Sequence, residues 1–158
     1  SSFARMPEAE IKLDNLSKCL EEAYLLYFNT RKDIKLNLIK PENDIYFHFD
    51  TLQISRCFNN LIKNAIEAVE KIPNPAVEVL MTTDAKSIKI EIKDNGVGID
   101  EKMLSKIFEP YFTTKTKGTG LGLSIVKRII EDHGGKIKIE KNKNMAGTTS
   151  LINFEYNA

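Results

Sequence analysis

The chain has 158 residues, the size of a single domain with room for its own core. Hydrophobic residues make up 42% and charged residues 28%, with a formal net charge of +1. This balance excludes a low-complexity chain and any global field aimed at nucleic acid or a membrane surface. No apolar run reaches membrane-spanning length, and no targeting signal opens the chain. The two cysteines, Cys19 and Cys57, fall within helical patterns. They point to reduced thiols and a cytoplasmic domain, not to a disulfide framework. Opening on Ser1-Ser2, the chain reads as a domain excised from a longer protein.

Residues 1–12 read as a linker and 13–158 as the domain proper. With Asp14 as N-cap, Leu16, Cys19, Leu20, Ala23, Tyr24 and Tyr27 recur at helical spacing. Ile34, Leu36 and Leu38, then Ile45, Phe47 and Phe49, alternate as two strands joined by a turn at Lys40-Pro41-Glu42-Asn43. Asp50-Thr51 opens a second helix, with Ile54, Phe58, Leu61, Ile62, Ala65 and Val69 on one side; Pro73 and Pro75 close it. Val77, Val79 and Met81, then Ile88, Ile90 and Ile92, predict a pair of strands. Residues 94–119 read as irregular apart from a short helix over 101–107. A third helix is predicted over 120–133, stopped by Gly134-Gly135. A hairpin across 142–147 ends the chain. Strands in hairpin pairs with helices between them predict an α/β two-layer sandwich with a largely antiparallel sheet.

Three motifs carry chemistry. In Asp94-Asn95-Gly96-Val97-Gly98 a strand delivers a carboxylate to a loop whose glycines admit close approach. A buried carboxylate there can accept from an exocyclic amine such as adenine's; the plain alternative is an ordinary Asp-Asn-Gly turn. Gly118-Thr119-Gly120-Leu121-Gly122-Leu123 runs into a helix whose first N–H groups favour phosphate, with Lys115 and Lys117 beside it. The alternative is a hinge, and neither a Walker loop nor a dinucleotide fingerprint is present. Asn60 and Asn64 share a helix face. They are either solvated polar positions or hard amide ligands suited to Mg²⁺. Phe108 and Phe112 either pack as core or anchor a lid. His48 reads as a surface residue and His133 as a helix-end residue; neither reads as catalytic.

Together these residues resemble the catalytic and ATP-binding domain of two-component sensor histidine kinases, within the group that includes DNA gyrase, Hsp90 and MutL. The resemblance runs from about residue 14 to 156. It places an N box at 60–68, glycine boxes at 94–98 and 118–123, an F box at 108–112, and a last box at Gly147-Thr148-Thr149. Ser2-Phe3-Ala4-Arg5-Met6-Pro7 and residues 108–115 further resemble NtrY-like nitrogen-regulation kinases. The resemblance implies a Bergerat-type fold, a mixed, largely antiparallel sheet backed by three helices. ATP and Mg²⁺ are the implied cofactors. Asn64, with Asn60 assisting, would ligate the metal, and Asp94 would read the adenine amine. Gly96, Gly98 and Ile99 would shape the base pocket, with Phe108, Phe112, Thr113, Thr114 and Thr149 around the nucleotide. The amides of Gly118, Thr119, Gly120, Leu121, Gly122 and Leu123 would hold phosphates.

Where many histidine kinases carry a basic residue, this chain has Glu67, so phosphate contact would pass to Lys63, Lys115 or Lys117. Asn60 and Lys115 are the candidates for a direct catalytic role. The implied partners are the dimerisation and phosphoacceptor domain of the same kinase and, indirectly, a response regulator, with no nucleic acid. The implied full-length protein is a homodimer anchored at the inner membrane. Two rivals are a clamp-type ATPase and a nucleotide-binding module without chemistry. Hydrolysing relatives place a glutamate where Asn60 stands, which disfavours the first.

Overall fold

The computed structural model describes residues 7–110, 112 and 122–156. Its elements are β1 (Lys12–Asn15), α1 (Leu16–Phe28), β2 (Lys35–Ile39), β3 (Tyr46–Phe49), α2 (Thr51–Val69), β4 (Ala76–Thr83) and β5 (Ser87–Asp94). They continue with α3 (Glu101–Leu104), α4 (Leu123–Asp132), β6 (Lys136–Lys141) and β7 (Thr148–Glu155). Five strands form one sheet in the order β2-β4-β5-β7-β6, and β1 pairs with β3 in a separate ribbon. The pairing β2–β4 is parallel and every other pairing is antiparallel. Helices α1, α2 and α4 cover one face of the large sheet, as the mixed-sheet reading requires.

Alternation builds the core. Val77, Val79, Met81, Ile88, Ile90 and Ile92 all point to one face and are buried. Ile152 and Phe154 of β7 lie opposite Ile90 and Ile88 and extend that face. Onto it pack Ile54, Phe58, Leu61, Ile62, Ala65, Ile66 and Val69 of α2 and Val126, Ile129 and Ile130 of α4. Full burial of one such side chain contributes about 1.5–3 kcal/mol, so α2 is held chiefly by this stripe.

The expected hairpin of residues 34–49 does not form. Its first strand runs parallel beside β4 across the α2 crossover, and its second pairs with β1. Alternation fixes which face a strand buries but not which neighbour it takes. The chain also enters the fold earlier than expected, since Lys12–Asn15 is a strand. Helix α1 is therefore capped by Asn15, not by Asp14: Asn15 Oδ1 accepts from Lys18 N–H at 2.9 Å. Asp14 instead accepts from the Thr51 hydroxyl at 2.5 Å. Helix α2 opens at Asp50-Thr51 as expected, and Asp50 caps it, accepting from Gln53 N–H at 3.0 Å, while its second oxygen takes Glu10 N–H at 2.8 Å. Helices α3 and α4 are shorter than their predicted ranges.

Candidate nucleotide site

Asp94 is the last residue of β5 and is 6% exposed. Its Oδ1 accepts from Gly96 N–H at 2.9 Å and Thr148 N–H at 3.3 Å. Burial raises its carboxyl above the ordinary carboxylate range, against the pull of those two donors. Among the described residues both hydrogen bonds to the carboxylate end on Oδ1, so Oδ2 is the atom left to meet a donor on a ligand.

The loop after Asp94 is pinned on both sides. Asn95 donates to the Asn74 carbonyl at 2.9 Å and accepts from Ala76 N–H at 2.9 Å, which ties the loop to the start of β4. Val97 N–H donates to the Ala68 carbonyl at 3.3 Å, seating the loop on the last turn of α2. Only glycine fits between: a Cβ on Gly96 would lie 2.3 Å from the Ala68 carbonyl oxygen. Gly98 has φ +77, a left-handed conformation.

The helix that seats the loop also carries polar residues. Asn60 is buried, and Asn64 Nδ2 donates to Asn60 Oδ1 at 3.1 Å, so the two amides share one face as their spacing predicted. Lys63 and Glu67 are half-buried on the same helix. Gly122 caps α4 without a side-chain hydrogen bond, and its carbonyl takes Ile125 and Val126 N–H groups. Backbone donors at such a start have no intrahelical partner and suit an anion. Phe108 is half-buried beneath Lys127, whose Nζ lies 5.4 Å from the ring centroid. Phe112 is half-buried, and its N–H donates to the Glu109 carbonyl at 3.2 Å. Thr113, Thr114, Lys115, Lys117, Gly118, Thr119, Gly120 and Leu121 lie outside the described residues.

Gly98, Ile99 and Gly147 line an open cleft of about 590 Å³ with Asp100, Lys141 and Met145. Among the described residues its walls include neither Asp94 nor Asn60 nor Asn64, so it is the chemistry of the loop that locates the site. Of the junction's residues, Thr148 was placed only within a last box and Asn142 was missed in the sequence. Thr148 reaches Asp94 through a backbone N–H, to which its residue type gives no clue. Asn142 sits in a predicted turn, where asparagine is ordinary. The histidines hold no place in the site. His48 is exposed on β3. His133 is buried at the end of α4, its Nδ1 2.7 Å from the Ile129 carbonyl and its Nε2 accepting Asp50 N–H at 3.0 Å. Both ring nitrogens of His133 are thus engaged by the main chain.

A buried carboxylate, a glycine loop seated on an amide-bearing helix, and a helix start capped by glycine define a nucleotide-binding ATPase-like fold. The chain belongs to the family of histidine kinase-, DNA gyrase B- and HSP90-like ATPases, whose model matches residues 49–157. It is 42% identical to sporulation kinase A of Bacillus subtilis over 143 residues, 89% of this chain and 23% of that protein. It is 38% identical to a putative NtrY-like sensor histidine kinase of Rickettsia conorii over 159 residues, covering 97% of this chain and 25% of that protein. The catalytic domain of histidine kinase ThkA, in a nucleotide-free form, superposes with a TM-score of 0.82 at 33% identity, covering 93% of this chain and 96% of that one. ThkA in complex with response regulator protein TrrA matches with a TM-score of 0.79 at 28% identity, covering 94% of this chain and 42% of that one. The chain spans about a quarter of the length of these curated relatives.

Proposed function

We propose that this chain binds Mg·ATP and presents the γ-phosphoryl group to a histidine on a separate dimerisation domain of the same kinase. The observation that carries the reading is the buried Asp94 carboxylate, hydrogen-bonded among the described residues through Oδ1 alone, at the start of a loop seated on the helix of Asn60 and Asn64. Asp94 accepts from the adenine amine, and the glycines let the base approach the backbone. Among the described residues no three His, Cys, Asp or Glu side chains gather into a metal cage. Two amides one turn apart suit a hard cation that takes its other ligands from phosphate oxygens and water. Bound there, Mg²⁺ would neutralise and orient the phosphates. Asn64 would hold that ion, with Asn60 beside it. Lys63, Lys115 and Lys117 are the candidates for phosphate contact, and residues 118–123 would supply backbone donors. The chain's share of catalysis is positioning and charge stabilisation.

The relatives support the partners as well. Named sensor kinases share the domain, and ThkA has been solved with a response regulator. A response regulator downstream, a homodimeric full-length protein at the inner membrane and a role in nitrogen regulation are part of the same proposal. The test adds radiolabelled ATP and this chain to a dimerisation domain bearing histidine. Label stable to alkali and labile to acid is the expected product. Rapid phosphate release with no transfer would favour the clamp-type ATPase instead.

A further inference from the structure

Asp94 is held from outside its own loop, by the turn between β6 and β7. Asn142 opens that turn. Its Nδ2 donates to the Asp94 carbonyl at 2.7 Å and to the Ala146 carbonyl at 3.1 Å. Its Oδ1 accepts from the Thr149 hydroxyl at 2.6 Å, and its backbone N–H donates to the Gly147 carbonyl at 3.0 Å. These partners fix the amide's orientation. Turned over, its oxygen would face two carbonyl oxygens and its nitrogen the hydroxyl.

The close approach depends on residue 147. A Cβ there would lie 2.0 Å from the Asp94 carbonyl oxygen, and the residue has φ +108. Next to it, Thr148 N–H reaches Asp94 Oδ1. The hairpin thus grips Asp94 twice, at the main-chain carbonyl through Asn142 and at the carboxylate through Thr148. A side chain that tethers the carbonyl of Asp94 sets the direction in which its carboxylate leaves the strand.

We propose that Asn142 is a positioning residue for Asp94 and, through it, a determinant of adenine specificity. The inference rests on the reading of Asp94 as the contact to the adenine amine. Asn142 lines the same cleft as Gly98 and Ile99, but in this scheme it acts through Asp94 and not on the ligand. Its loss misaims one oxygen against one donor and leaves the phosphate contacts in place. The signature is therefore a change in base preference, not a general loss of binding.

The experiment titrates the 158-residue chain with ATP and with inosine triphosphate, which carries a carbonyl in place of the amine. The proteins are the parent, Asn142→Asp, Asn142→Ser, Asp94→Asn and the double variant Asp94→Asn/Asn142→Asp, each checked by circular dichroism. Asn142→Asp sets a carboxylate oxygen against two carbonyls, so ATP should bind about tenfold more weakly while inosine triphosphate changes little. Asn142→Ser, too short to span the same partners, should narrow the preference in the same direction. In the Asp94→Asn background, Asn142→Asp should narrow it no further. Equal weakening of both nucleotides, in either Asn142 variant, would mean a merely structural role and overturn the proposal. So would an unchanged preference in those variants while Asp94→Asn alters it. A preference unaffected by Asp94→Asn would overturn the reading of the site itself, and this inference with it.

Discussion

At Asp94 stability and function oppose each other. A carboxylate at 6% exposure is disfavoured as a charge, and burial accordingly raises its pKa. A group raised in the folded state contributes fully to stability below its unfolded value near 3.8, and that contribution is lost as pH rises through the folded value. At neutral pH the parent therefore carries the whole cost of a buried charge. Asp94→Asn keeps an oxygen for the Gly96 and Thr148 N–H groups and removes the charge. The ligand-free variant should melt no lower than the parent at pH 7, with the difference closing as pH falls toward 3.8. The same variant should lose ATP affinity by about 1–3 kcal/mol, since an amide nitrogen can face the base amine. Thermal melts across pH and calorimetry with ATP read both effects. A variant that melts lower and binds as before would contradict both halves. The metal amides obey a different logic. Asn64→Ala should spare binding of metal-free nucleotide more than binding of Mg·ATP, whereas equal loss of both would point to another metal ligand.

At the scale of elements, the site is a seam where four pieces of chain meet: the end of β5, the last turn of α2, the start of β4 and the β6–β7 turn. The seam explains which glycines are obligatory. At Gly96 the clash is with backbone, which cannot swing away as a side chain would. Gly96→Ala should therefore cost about 1–3 kcal/mol in denaturant unfolding and pull the loop off α2. No loss of stability there would mean that the loop is not seated as described. The N-terminal end of α2 obeys the same seam logic. Asp50 caps the helix and also holds Glu10 N–H, so it joins the entering chain to the helix that carries Asn60 and Asn64. Burial pulls its carboxyl upward, but the Gln53 and Glu10 donors and nearby His133 outweigh this and hold it below the ordinary range. That contribution to stability is present above the unfolded value of 3.8 and is lost as pH falls through the lower folded value. Asp50→Ala should destabilise the chain by about 0.5–2 kcal/mol, by an amount that shrinks in acid; a loss independent of pH would count against the cap.

For the whole molecule, the layers were readable because burial follows period. Strands β4 to β7 and the stripe of α2 follow alternation and helical spacing with little competition. Partnership was not readable. β2 finds β4 only after α2 has crossed the sheet, and β1 is four residues long with an Asp-Asn pair that also suits a cap. Of the site, the carriers of charge and amide were legible as residue types at fixed spacing, while Asn142 and Thr148 act through geometry between distant segments. The assembled fold also predicts what the chain does not do alone. Its two histidines are His48 and His133. His133 has both ring nitrogens engaged and is buried, so it offers no nucleophile. His48 is exposed on the β1–β3 ribbon, beside Phe47 and Phe49 and across from Leu13, with no carboxylate among these neighbours to activate it. Asn60 is an amide and cannot serve as a base for water. Incubated alone with Mg·ATP, the chain should therefore bind nucleotide yet acquire no acid-labile label and release phosphate slowly. Label on His48, mapped by mass spectrometry and lost in His48→Ala, would show that this domain carries its own acceptor. Fast hydrolysis abolished by Asn64→Ala would instead place a base near the metal, and Glu67, one turn along α2, would be the first side chain to replace.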